Sequence, residues 1–87
     1  MTISYEQFTN IARMLIGFSN GENPVPAVRA SFPELAISRC DADDMRGESP
    51  FLRVGDFDVY LVDTSNLCWK IISEPTVATG LILAARN

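Results

Sequence analysis

The sequence predicts an α+β domain: a small, mainly antiparallel sheet of about three strands that ends in a C-terminal hairpin, with an N-terminal and a C-terminal helix packed on one face. Three observations lead there. The chain opens on a capped amphipathic helix. Two runs of alternating apolar residues flank Asp63-Thr64-Ser65-Asn66. A Ser-Glu-Pro start followed by an apolar stripe closes the chain. With 87 residues, positions 1–87 form a single domain, because typical domains run to about 100–150 residues.

The first helix is expected from Tyr5 to Ser19. Ser4 is a good N-cap and Gln7, three residues on, completes a capping box. Ile3 and Phe8 occupy the two positions of a hydrophobic staple. Phe8, Ile11, Ala12, Leu15 and Phe18 follow the spacing of one apolar face, which Met14 and Ile16 widen. Asn20-Gly21 supplies a left-handed C-cap. Glu22 to Pro26 is a connector, since residues before proline are pushed towards extended geometry. Ala27 to Phe32 reads as a helical turn or a short helix starting at Pro26. Glu34 to Cys40 alternates and is expected to be the first strand. Asp41 to Gly47 reads as one helical turn, with Asp41 as its cap and Gly47 as its stop. Pro50 limits Glu48 to Val54 to a loop or an edge strand.

Phe57, Val59 and Leu61 alternate with Asp58, Tyr60 and Val62, and Leu67, Trp69 and Ile71 alternate with Cys68, Lys70 and Ile72. This is a hairpin signature. Pairing Leu61 with Trp69, and Val59 with Ile71, gathers the large apolar residues on one face and keeps Lys70 off it. Pro75 then suits the first turn of a last helix, whose stripe is Val77, Ala78, Leu81, Ile82 and Ala85. Gly80 falls mid-helix, where glycine is disfavoured by about 1 kcal/mol relative to alanine. It reads as a point of close packing against the hairpin.

Composition excludes several functions. Hydrophobic residues make up 47% and charged residues 21%, so disorder is not expected. The net charge of −4 argues against nucleic-acid binding, which needs a basic surface. There is no histidine, which removes the commonest general base and metal ligand. The N-terminus lacks a secretory pattern, and the longest apolar run, Leu81 to Ala85, is far below the roughly 20 residues that span a bilayer. A cytoplasmic protein with no membrane partner is the expectation.

Cys40 and Cys68 lie in segments read as strands, where free thiols act as small buried hydrophobes. The acidic group Asp41, Asp43 and Asp44 lacks the spacing of a calcium loop. Acids near a helix start satisfy backbone N–H groups. No metal and no cofactor is expected, and no catalytic residue is assigned. The glycines match neither a phosphate loop nor a dinucleotide fingerprint. Asp63 to Asn66 is read as turn chemistry rather than a ligand-binding tip.

The run Tyr60-Leu61-Val62-Asp63, then Cys68-Trp69-Lys70, then Pro75 with Ala78-Thr79-Gly80-Leu81, resembles a small uncharacterised bacterial family, a domain of unknown function associated with nitrogen-fixation gene neighbourhoods. The resemblance covers about a third of the chain and implies no catalytic residue.

Three readings follow. The first is a non-enzymatic protein-interaction or accessory module, using Tyr60, Val62, Lys70 and Ile72 on the second face of the hairpin to bind another protein. The second is a metal- or small-molecule-binding accessory protein using Cys40, Asp41, Asp43 and Asp44. The third is a homodimer.

Overall fold

The computed structural model describes residues 3–19, 21–45, 47–65 and 69–86. Helix α1 spans Tyr5–Ile16. Its capping box is formed: the Ser4 N–H donates to Gln7 Oε1 at 2.8 Å, and the Gln7 N–H donates to Ser4 Oγ at 3.1 Å. The two staple residues, Ile3 and Phe8, share the main core. The helix ends before the expected Asn20-Gly21 cap. The Gly17 N–H bonds to the Met14 carbonyl and the Phe18 N–H to the Leu15 carbonyl, both at 3.1 Å. These i→i+3 bonds tighten the last turn and stop the helix. Asn20 lies outside the described residues.

Helix α2 spans Val25–Ser31 and has Pro26 in its first turn, where a missing N–H costs nothing. Strands β1 (Ala36–Asp41), β2 (Leu52–Val54), β3 (Phe57–Asp63), β4 (Lys70–Ile72) and β5 (Gly80–Ala85) follow. They form one mixed sheet in the order β1-β5-β3-β2, with β4 also paired to β3. β1 runs parallel to β5, matching Ala36 with Gly80 and Cys40 with Ala84. β5 runs antiparallel to β3, matching Leu81 with Leu61 and Leu83 with Val59. The outer side of β3 is shared. β2 pairs with Phe57 to Val59, and β4 pairs with Leu61 to Asp63.

Strand alternation gives the sheet two faces, and both are apolar. Ile37, Phe57, Val59, Leu61, Leu81 and Leu83 pack with Phe8, Ile11 and Leu15 of α1 and Val28 of α2 in the main core. On the reverse face Tyr60 and Ala84 pack with Met45, Cys40, Ile71 and Ile82. Met45 arrives there on a 3₁₀ turn, Ala42–Met45, which ends near Gly47 with its φ of 93°.

The structure corrects the expected fold in three places. The class stays α+β, but the sheet has five strands and is mixed, where about three mainly antiparallel strands were expected. The expected C-terminal helix is a 3₁₀ turn, Pro75–Val77, followed by strand β5. The run Gly80-Leu81-Ile82-Leu83-Ala84-Ala85 is apolar at every position. Periodicity cannot separate a buried helix segment from a strand covered on both faces. Gly80 does mark close packing, but against Ala36 of β1. The hairpin register also differs. Leu61 faces Ile72 and Val62 faces Ile71, an odd shift from the expected pairing that exchanges the two faces of β4. The expected register assumed one polar face. With both faces apolar, the cost of exchanging them disappears. Lys70 escapes burial because it sits at the strand end, exposed and opposite Asp63. The expected partner Leu67 lies outside the described residues.

Candidate functional site

The four residues expected to form a contact surface are not brought together. Tyr60 and Val62 are 3% and 0% exposed, so neither offers surface to a partner. Ile72 belongs to the opposite face, packed against the main core, and only Lys70 is exposed. Burial, followed by the nearby Asp58 charge, raises the Tyr60 hydroxyl above the ordinary tyrosine range.

The second expected constellation does not assemble either. Asp41, Asp43 and Asp44 are exposed while Cys40 is half-buried on the reverse face. Among the described residues no group of three His, Cys, Asp or Glu side chains could hold a metal ion. Burial pushes the Cys40 thiol up, and the charges of Asp44 and Asp41 push it further. The thiol therefore stays protonated near neutral pH, which is the opposite of an activated nucleophile. Cys68 lies outside the described residues.

The tip after β3 behaves as turn chemistry. The Ser65 hydroxyl and N–H hold the Asp63 carboxyl below the ordinary aspartate range, with the N–H 2.9 Å from Asp63 Oδ1. The Thr64 and Thr79 hydroxyls lie 2.7 Å apart, and the Thr64 N–H donates to Thr79 Oγ1 at 2.8 Å. Asp58, the one buried carboxylate among the described residues, is also structural. Arg86 pairs with it, Arg53 Nε lies 3.5 Å away, and Arg86 donates to the Phe57 carbonyl at 3.3 Å. These contacts tie the end of the chain to the β2–β3 turn.

What the molecule does present is a groove along α1. It encloses about 680 Å³, within the range of ligand and peptide clefts. One wall is a stripe of α1: Tyr5, Thr9, Ala12, Arg13 and Ile16. The other is Phe51 and Leu52 at the start of β2, with Pro75 and Thr76 closing one end. Ile3 and Phe8 also line it. Each wall is anchored. The Ile3 N–H donates to the Pro75 carbonyl at 3.3 Å, and the Phe51 N–H to the Val59 carbonyl at 2.8 Å. The Phe8 and Phe51 rings meet at 5.2 Å between centroids, an ordinary aromatic contact distance. Around this groove Tyr5 is 88% exposed, Ile16 68% and Phe51 41%. Arg13 is the sole charged residue among those lining it.

The signal for the groove was in the helix pattern. Positions 5, 9, 12 and 16 repeat at steps of four, three and four, a second stripe beside the core face. Reading Ile16 as a widening of the core face hid it. Phe51 sits in a stretch whose proline argued for a loop, so nothing local marked it as a wall.

Residues 19–86 match the model of a family described as a family of unknown function, DUF6129. Comparison with curated proteins and with solved structures found no match. Among the described residues no helix is long and apolar enough to cross a membrane.

Proposed function

The chain belongs to the DUF6129 family, a family of unknown function, and from that premise we propose that it is a non-enzymatic protein-interaction module whose contact surface is the α1 groove. The observation that carries this is the exposure of three large apolar side chains, Tyr5, Ile16 and Phe51, around one anchored cleft. Contiguous apolar surface of this kind marks interaction sites on soluble proteins. The remaining chemistry supports a binding role. The chain has no histidine, its Cys40 thiol is held protonated, and its buried carboxylate is taken up by arginines. The bacterial setting, the cytoplasmic location and the nitrogen-fixation neighbourhood belong to the same proposal. The first and third are supported by the resemblance over Phe57 to Ala84.

The sheet offers a poorer site. β1 is an edge strand, but Arg29 of α2 donates to the Ile37 carbonyl at 2.9 Å. That covers part of the edge on which an added strand would pair.

The test compares the parent chain with Ile16→Glu and Phe51→Ser. A partner recovered stoichiometrically from host extract is purified and titrated calorimetrically against each. The proposal expects both variants to keep the parent circular dichroism and to lose binding at least tenfold. Binding unchanged in both variants removes the groove from the interaction.

A further inference from the structure

Resting on the groove reading above, we infer that the occupant is a second copy of this chain, docked through an antiparallel α1–α1 pair about a two-fold axis. The stripe is self-complementary. A two-fold axis between Thr9 and Ala12 places Tyr5 of one copy opposite Ile16 of the other, and Thr9 opposite Ala12. Both large apolar ends of the stripe, 88% and 68% exposed alone, are then covered at once. An isologous interface needs this kind of self-match.

Charge gives the direction. Glu6 and Arg13 are seven residues apart, so they sit within about 20° of each other on one flank of the stripe. Among the described residues neither takes part in an ion pair. In the antiparallel arrangement Glu6 of one copy comes within about two residues' rise, roughly 3 Å along the axis, of the level of Arg13 of the other. The axis repeats that pairing. A parallel two-fold would carry this flank to opposite sides of the seam, so Glu6 of one copy would meet neither Arg13 nor Glu6 of the other. Opposite charges within reach favour the antiparallel arrangement, the one of the two that brings them together. Phe51 flanks each side of the helix pair and closes the groove. A standard interface takes about 800 Å² from each partner, about a sixth of the 5121 Å² that one copy exposes.

The experiment is sedimentation equilibrium of the full chain, from low-micromolar to millimolar concentration, with four variants. The parent is expected to show a monomer–dimer equilibrium. Ile16→Glu should be monomeric with the parent circular dichroism. Glu6→Arg alone and Arg13→Glu alone should each weaken self-association about tenfold to thirtyfold, since two exposed pairs turn from attractive to repulsive. Mixed in equal amounts, these two variants should associate at least as tightly as the parent, because the introduced arginine at position 6 then meets the introduced glutamate at position 13. The combined variant Glu6→Arg with Arg13→Glu should recover parental affinity. A parent that stays monomeric throughout overturns the inference, as does a mixture no tighter than its components. A monomeric parent whose Ile16→Glu variant loses a purified partner leaves the module reading standing. A monomeric parent whose variant keeps that partner overturns both.

Discussion

Replacing Gly80 with alanine tests the C-terminal strand at its tightest point. A Cβ at this position would lie 2.5 Å from the Ala36 carbonyl oxygen, 2.9 Å from the Ala36 Cβ and 3.2 Å from the Ala36 carbonyl carbon. The nearest atom is backbone, so no rotamer change relieves the clash. To reach ordinary van der Waals contact the two strands must separate locally by about 0.9 Å, and Gly80 is held between Ala36 and Val62. Overpacking of this kind costs roughly 1–3 kcal/mol, sometimes more. Alanine gains back roughly 0.5–1 kcal/mol over glycine within a strand. With backbone as the obstacle the cost falls at the upper end, leaving a net loss of about 2 kcal/mol. A chain of this size has about 4–13 kcal/mol in all, so thermal unfolding should fall by roughly 8–16 °C. Thermal and urea denaturation, followed by circular dichroism, measure it. Gly21→Ala, where an added Cβ meets nothing within 4 Å, is the control and should stay within about 0.5 kcal/mol. Adding Ala36→Gly should not rescue, because it leaves the carbonyl oxygen in place. A Gly80→Ala protein within about 0.5 kcal/mol of the parent would refute the parallel β1–β5 pairing.

Arg86→Ala should cost about 2–3 kcal/mol in urea denaturation, because it leaves Asp58 buried with only Arg53 near, whereas Arg53→Ala, whose side chain is 69% exposed, should cost less than about 1 kcal/mol. Ser4→Ala should lose about 1 kcal/mol, and a double-mutant cycle with Gln7→Ala should show the two losses to be non-additive, since both act through one capping box. In a Cys68→Ser background, Cys40 should be alkylated by iodoacetamide more slowly than the denatured chain at neutral pH, because its thiol is raised above the ordinary range. A rate in that variant equal to that of its denatured chain would contradict the burial of Cys40. The Asp63 carboxyl is lowered in the folded state, so its contribution is present above the unfolded aspartate pKa and is lost as pH falls through the folded one. Ser65→Ala removes the hydroxyl's part of that shift and keeps the N–H's, so it should lower stability slightly at neutral pH, leave it unchanged below the folded pKa, and flatten the acid limb of the stability curve between them.

Local chemistry was legible and long-range pairing was not. The Ser4–Gln7 box and the Ile3–Phe8 staple are decided within a few residues, and both are present. The alternation of Phe57 to Val62 fixed a strand, and Pro26 fixed the start of α2 within one residue. Gly80 to Ala85 was misread because its conformation depends on Ala36 to Asp41 on one side and Phe57 to Val62 on the other. Neither pairing leaves a local mark on the run itself. The hairpin register failed for a related reason. Polarity discriminates between registers only when one face meets water, and Tyr60, on the hairpin face expected to be the more polar, is buried with Met45 and Ala84.

That second buried face also bears on why the proposed contact surface lies on α1. Every residue from Phe57 to Val62 is buried, because β3 has α1 and α2 over one side and the Met45 turn against the other. The centre of the sheet therefore has no side chain left to offer a partner, and β1, an outer strand, carries Arg29 on its Ile37 carbonyl. Helix α1 is different. Its buried core contacts are Phe8, Ile11 and Leu15, and the adjoining stripe faces the groove, with Tyr5 and Ile16 exposed and Thr9 and Ala12 half-buried. On a solitary domain such a stripe would be expected to carry charge. Here it carries Tyr5 and Ile16, with Glu6 and Arg13 confined to one flank. Fold stability gains little from a tyrosine left 88% in water, so the proposed contact with a second surface accounts for a residue choice that folding of this domain alone does not.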